Sequence, residues 1–162
     1  MNEALRAALN HAKCVRKVNK KFLTRLQQVK QADDLFHFAH EEIFAQVNCL
    51  DCANCCKTTS PIFRNVDIDR IAQHLGIRPS ALTSKYLHID EDGDWVLNQS
   101  PCVFLNEDNT CRVYEVRPKA CREYPHTDRK HMRQIMDLTY RNTLVCPAVG
   151  LMVERIKSRL SQ

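Results

Sequence analysis

Four thiols fall within eight residues, at Cys49, Cys52, Cys55 and Cys56, in the spacing C-x2-C-x2-C-C. Four more follow at wide intervals, at Cys102, Cys111, Cys121 and Cys146, and Cys14 stands alone upstream. Thiols so dense suit metal binding, because thiolates are strong metal ligands and a bound metal keeps them deprotonated. A C-x2-C turn lets two thiolates reach one ion, as in structural zinc sites. The second short-spaced pair of a zinc ribbon is missing here. The repeated spacing of Cys49, Cys52 and Cys55 is instead that of ferredoxin-type runs, where three near cysteines work with a remote Cys-Pro, and Cys146-Pro147 is such a pair. Adjacent Cys55 and Cys56 aim their side chains differently, so two neighbouring centres, or one larger cluster with a spare thiol, use them more naturally than one tetrahedral ion. Eight thiols divide into two sets of four, and their spacing leaves the assignment open. Cys14 reads as an ordinary helix-packing residue.

Other chemistries fit less well. Cys52-x3-Cys56 begins the C-x3-C-x2-C spacing of radical adenosylmethionine enzymes, but Thr59 stands where the third cysteine belongs. Thioredoxin-type exchange needs an α/β setting, and no alternation of strands and helices is present. No local motif supports a Cys nucleophile with a His base. The three glycines, Gly76, Gly93 and Gly150, cannot build a phosphate loop. Asp90-Glu91-Asp92-Gly93-Asp94 lacks the ligand order of a calcium loop and reads as a turn. His37 and His40, and further on His126 and His131, are secondary candidates as ligands or proton carriers.

The chain has 162 residues, 44% of them hydrophobic and 27% charged, which suits one folded domain with a helical extension. It shows no signal-peptide pattern and no membrane-spanning run, so a cytoplasmic protein without a membrane partner is expected. In a reducing compartment clustered cysteines are metal ligands rather than disulfides. The net charge is +5 and uneven: residues 1–30 carry eight Lys/Arg against Glu3 alone, whereas residues 31–56 carry five acids and no Lys/Arg. Either the two segments attract each other within the fold, or the basic one meets an RNA or an acidic protein.

The elements that must position the thiols are mostly helices. Residues 3–30 lack Gly and Pro and place Leu5, Ala8, Ala12, Val15, Phe22, Leu26 and Val29 at three–four spacing, with Asn19 in the same register. A helical hairpin with residues 32–47, started by Asp33 and Asp34, is expected; a coiled-coil homodimer through residues 3–30 is the alternative. Residues 66–76 form a helix ending at Gly76, and Pro79 opens another through about Leu87. Residues 60–63 read as extended. Trp95–Leu97 is a short strand, and Cys102–Leu105 and Cys111–Tyr114 are strands of a hairpin. A proline-bounded helical turn holds Cys121, residues 128–144 are helical, and Cys146-Pro147 starts the last helix.

The cysteine run, Pro101-Cys102-Val103-Phe104-Leu105, Cys111-Arg112-Val113-Tyr114-Glu115-Val116-Arg117-Pro118, Cys121-Arg122-Glu123-Tyr124-Pro125 and Cys146-Pro147 together resemble the CxxCxxCC family, the zinc- or iron-chelating domain of YkgJ-type cysteine cluster proteins. The resemblance covers about residues 47–148. It implies metal binding, with Cys49, Cys52, Cys55, Cys56, Cys102, Cys111, Cys121 and Cys146 as ligands of an iron–sulfur cluster, 4Fe–4S being favoured, or of zinc. A flagellin lysine methylase contains a similar domain, which leaves room for an enzyme acting on protein or RNA. The expected fold is mainly α, with a small irregular cysteine-rich metal core and one or two short β-strands. Its expected divisions are a helical hairpin over 1–46, the metal-binding domain over 47–148 and a C-terminal helix over 149–162. The first function expected is a metal-binding protein with a redox or cluster-dependent role; a zinc-stabilised module that binds RNA or protein is the alternative. Arg117, Arg122 and Tyr124 surround Cys121 in sequence, where the arginines either stabilise thiolates or pair with Glu115 and Glu123.

Overall fold

A computed structural model describes residues 1–161. The fold is mainly α with one two-stranded antiparallel sheet. The chain divides into two packing units, one formed by Met1–Cys52 with the residues from Pro125 onward, the other by Ala53–Tyr124. Among the described residues no helix is long and apolar enough to cross a membrane.

The first unit is helical. Helix α1 (Glu3–Cys14) starts where the Asn2 side chain accepts the Leu5 N–H, satisfying a donor that the helix leaves open. Val15 interrupts the predicted continuous helix, and α2 (Arg16–Leu26) follows at once. The remaining helices are α3 (Ala32–Phe44), α8 (Met136–Thr143) and α9 (Pro147–Leu160). Instead of the simple hairpin expected with α3, α1 lies chiefly against α9 and α2 against α8. Of the periodic residues Leu5, Ala12 and Leu26 are thereby buried within the chain and Ala8, Val15, Phe22 and Val29 half-buried, with Leu9 and Leu23, outside that series, buried beside them, so the seam is already occupied. Leu23, Leu26, Phe36, Met132, Met136, Met152, Val153 and Ile156 form one apolar cluster with the small residues Ala32, Ala39 and Ala148. Gly150 permits the close approach of α9 to α1, since a Cβ there would stand 3.0 Å from the Ala12 methyl carbon. Asn19 is fully buried and its side-chain oxygen accepts from Lys157. Cys14 is exposed and takes no part in the packing that its helix suggested.

The second unit contains α4 (Asn54–Thr58), α5 (Asn65–Leu75), α6 (Pro79–Tyr86), β1 (Leu87–Ile89), β2 (Trp95–Leu97) and α7 (Lys119–Glu123). Gly76 ends α5 at φ 66°, a left-handed conformation that a side chain would disfavour. Strand β2 is where the sequence places it. Its partner β1 was read as the end of a helix, but the backbone turns extended at Leu87 and pairs Leu87 with Leu97, His88 with Val96 and Ile89 with Trp95. Phe63 adds one bridge to Trp95. The acidic loop between the strands is held by its own Asp90, whose carboxylate accepts the N–H groups of Asp92 and Asp94 at 3.0 Å. The second predicted hairpin shrinks to a single bridge between Leu105 and Cys111, because Cys102 is drawn to another segment and residues 114–116 coil into a 3-10 turn. Phe63, Ile68, Ile71, Leu82, Leu87, Leu97, Phe104 and Val113 form this unit's core with Ala72.

Candidate metal centre

The thiols of the second unit come from four short segments. Cys55 and Cys56 sit on α4, with their sulfurs 4.0 Å apart. The Cys102 N–H donates to the Cys56 carbonyl at 2.8 Å, tying the two segments together through main chain. Cys111 stands at the bridge to Leu105, where the turn over residues 106–110 returns the chain. Cys121 lies on α7, directly after Pro118 has ended the preceding turn. Cys56, Cys102, Cys111 and Cys121 are gathered closely enough for their charges to act on one another.

Burial, then the neighbouring thiolates of Cys56, Cys102 and Cys111, push Cys121 up to about 12. Burial, then Cys56 and Cys111, push Cys102 up to about 11 despite main-chain hydrogen bonds that favour its thiolate. Cys111 is raised as well, by burial and by Cys56. Cys56 goes the other way, to about 7, chiefly through a hydrogen bond from Cys55. Arg117 supplies the one cationic side chain that favours thiolate at both Cys111 and Cys121. Its guanidinium lies 3.7 Å from the centre of the Tyr114 ring and donates to the Tyr114 carbonyl, so it does not pair with Glu115. Glu123 takes Lys119 rather than Arg122 as its ion-pair partner.

The first unit holds the other thiols. Cys49 opens a 3-10 turn whose start is capped by Asn48, and the Cys52 N–H closes that turn on the Cys49 carbonyl at 3.0 Å. Cys52 is buried, with its sulfur 3.6 Å from that of Met1. Cys146 is the N-cap of α9, where the Ala148 and Val149 N–H groups favour its thiolate. Burial still dominates and, with the charges of Cys49 and Cys52, pushes Cys146 up to about 11. The eight thiols thus separate into Cys56, Cys102, Cys111 and Cys121 in one unit and Cys49, Cys52 and Cys146 in the other, with Cys55 beside Cys56.

This donor set suits a soft metal. All-sulfur sets select zinc or iron–sulfur centres, and a bound cation would reverse the charge penalty that these thiolates impose on one another. Among the described residues no three His, Cys, Asp or Glu side chains are close enough together to hold a metal ion between them as placed. The rings of His37 and His40 serve elsewhere: His37 meets the Arg129 carbonyl at 3.0 Å and His40 meets the Thr127 hydroxyl at 2.9 Å. His131 donates its main-chain N–H to Asp33, at the left-handed start of the 3-10 turn over Met132–Ile135, and His126 also takes a left-handed conformation, at φ 65°.

One supporting pair escaped the sequence reading. Asp67 is fully buried on α5, where it caps the helix by accepting from the Arg64 backbone and side chain. It also receives Arg70 at 2.6 Å and the Lys119 N–H at 3.2 Å. Arg70 donates in turn to the carbonyls of Val116 and Arg117. The pair therefore anchors the segment between Cys111 and Cys121. Burial works against the Asp67 carboxylate, but these hydrogen bonds hold it below the usual range. The only local signal was an acid three residues before an arginine on a helix, which many exposed pairs share.

No curated protein and no solved structure gives a significant match to the chain. A family model, described as "Putative zinc- or iron-chelating domain", matches residues 48–146, a span that contains all eight clustered thiols and leaves out Cys14. The chain belongs to the CxxCxxCC family of zinc- or iron-chelating domains.

Proposed function

We propose that this protein carries an iron–sulfur cluster of the 4Fe–4S type on Cys56, Cys102, Cys111 and Cys121, and serves in electron transfer or another cluster-dependent role. Cys49, Cys52 and Cys146 belong to a second metal position, and Cys55, next to Cys56, completes the eight-thiolate set. The observation that carries this reading is the grouping of four thiols from separate segments inside the second unit, with burial and mutual charge holding three of them protonated. Such a group accepts a metal centre with release of protons. A cluster also suits thiols drawn from four separate segments, because its bridging sulfides give each thiolate an iron of its own. When bound, the cluster would supply one-electron chemistry. The chain's own contribution is to hold the thiols, shield them partly from water, and set Arg117 near two of them.

The test is anaerobic purification, a visible absorption spectrum, and a count of iron, acid-labile sulfide and zinc per chain. A brown protein with matched iron and sulfide is expected, and Cys121→Ser should lose the absorption. A colourless protein with one or two zinc ions would replace this reading with a zinc-stabilised binding module.

A further inference from the structure

We propose that the α1–α2 surface binds the phosphate backbone of duplex nucleic acid, without reading its sequence. Arg6, Lys13, Lys17, Lys20 and Lys21 are all exposed. Lys13, Lys17 and Lys21 are four apart, Lys20 is three beyond Lys17, and Arg6 is two helical turns before Lys13, so the five share one side. The interruption at Val15 does not break the row, because the Val15 N–H still reaches His11 and the Asn19 N–H reaches Val15, each at 3.0 Å. From Arg6 to Lys21 the row extends roughly 22 Å. That is about six phosphate steps along one strand.

Three acids of the first unit are engaged elsewhere. Asp33 accepts the His131 and Met132 N–H groups, and Glu42 pairs with Arg155 at 2.7 Å. Glu154, the acid beside α1, serves Lys157 and His11. Among the described residues none of the five cations joins an ion pair. Lys20 also lies over the Tyr140 ring at 5.8 Å, a contact that leaves its charge unneutralised.

A duplex fits better than a single strand. Single-strand binders add aromatic faces on which bases stack. The one aromatic side chain on these helices, Phe22, is half-buried and packs against the core, with Lys157 over its ring. The row therefore offers charge and little stacking.

The experiment is fluorescence anisotropy of the full, metal-loaded chain with a labelled duplex of arbitrary sequence, across a salt series. Contacts to about five phosphates give a slope of log K against log[salt] of about −4 to −5. The triple variant Lys13→Gln, Lys17→Gln, Lys21→Gln should weaken binding at least tenfold, and make the slope shallower by about 3. Its far-UV circular dichroism should match that of the parent. The control Arg78→Gln, Arg112→Gln, Arg133→Gln removes equal charge from exposed positions outside α1, α2 and the helices packed on them, and should keep the parent's affinity. Absence of duplex binding at low salt, an equal loss from both triples, or tighter binding of a single strand or of polyglutamate would each overturn the proposal.

Discussion

At the scale of single residues, the eight clustered cysteines are not equivalent neighbours. Cys121 is the thiol most strongly raised, and its neighbours are Cys56, Cys102 and Cys111. Cys121→Ser should therefore abolish metal at the second unit's centre, read as iron or zinc per chain, whereas exposed Cys14→Ser should leave metal content unchanged. Asp67 acts one step away, by fixing the segment between Cys111 and Cys121. Asp67→Ala removes charged hydrogen bonds to the Arg64 and Arg70 side chains and two from main-chain N–H groups, and should cost about 2–4 kcal/mol in denaturant unfolding. Its folded-state pKa lies below that of the unfolded chain. This contribution is complete above the ordinary carboxylate value and is lost as the pH falls through the lower, folded-state value. An acid titration should therefore show Asp67→Asn converging with the parent only at the most acidic end.

At the scale of elements, α9 does two jobs. Its N-terminus presents Cys146 with two N–H groups near the sulfur, and its length packs against α1 and α3. Gly150 is a point of close approach to α1. Gly150→Leu gains helix propensity but must displace Ala12, and should destabilise by about 1–3 kcal/mol, measured as a lower thermal midpoint. The short elements of the second unit behave differently. Helix α7 and the 3-10 turn before it are too brief to persist alone. Arg70 and Asp67 hold them in position.

For the whole molecule, the two units differ in what stabilises them. The first holds most of the α-helical residues around a dry cluster centred on Phe36, Met132, Met136 and Met152. The second has a smaller core and a group of thiols that repel one another once ionised. Small irregular cores of this kind draw much of their folding free energy from a bound metal. Trp95, the one tryptophan, lies in the second unit and reports on it alone. Anaerobic chelation should shift its emission to the red while far-UV circular dichroism keeps most of its helical signal. A simultaneous loss of both signals would show that the metal stabilises both units equally.

Much of this was legible from sequence because it is local. Helices α5, α6 and α9 follow from apolar periodicity, with Gly76, Pro79 and Pro147 marking their ends, and β2 follows from Trp95–Leu97. The cysteine order with its flanking Arg-Pro and Tyr-Pro segments carries the family. The misses arose where long-range packing overrode local preference: Leu87 turned from helix end to strand, the second hairpin was reduced to one bridge, and α1 chose α9 over α3. By itself the sequence determined how many thiols there are, their order, and the helices and turns that bear them. Only the tertiary structure decided that Cys56 lies with Cys102, Cys111 and Cys121 while Cys146 lies with Cys49 and Cys52, and that Asp33 and Glu42 of α3 are spent away from the basic row of α1 and α2. The physical reason is range: spacing encodes which residues share a turn, whereas which distant segments meet depends on how complete apolar cores close around them.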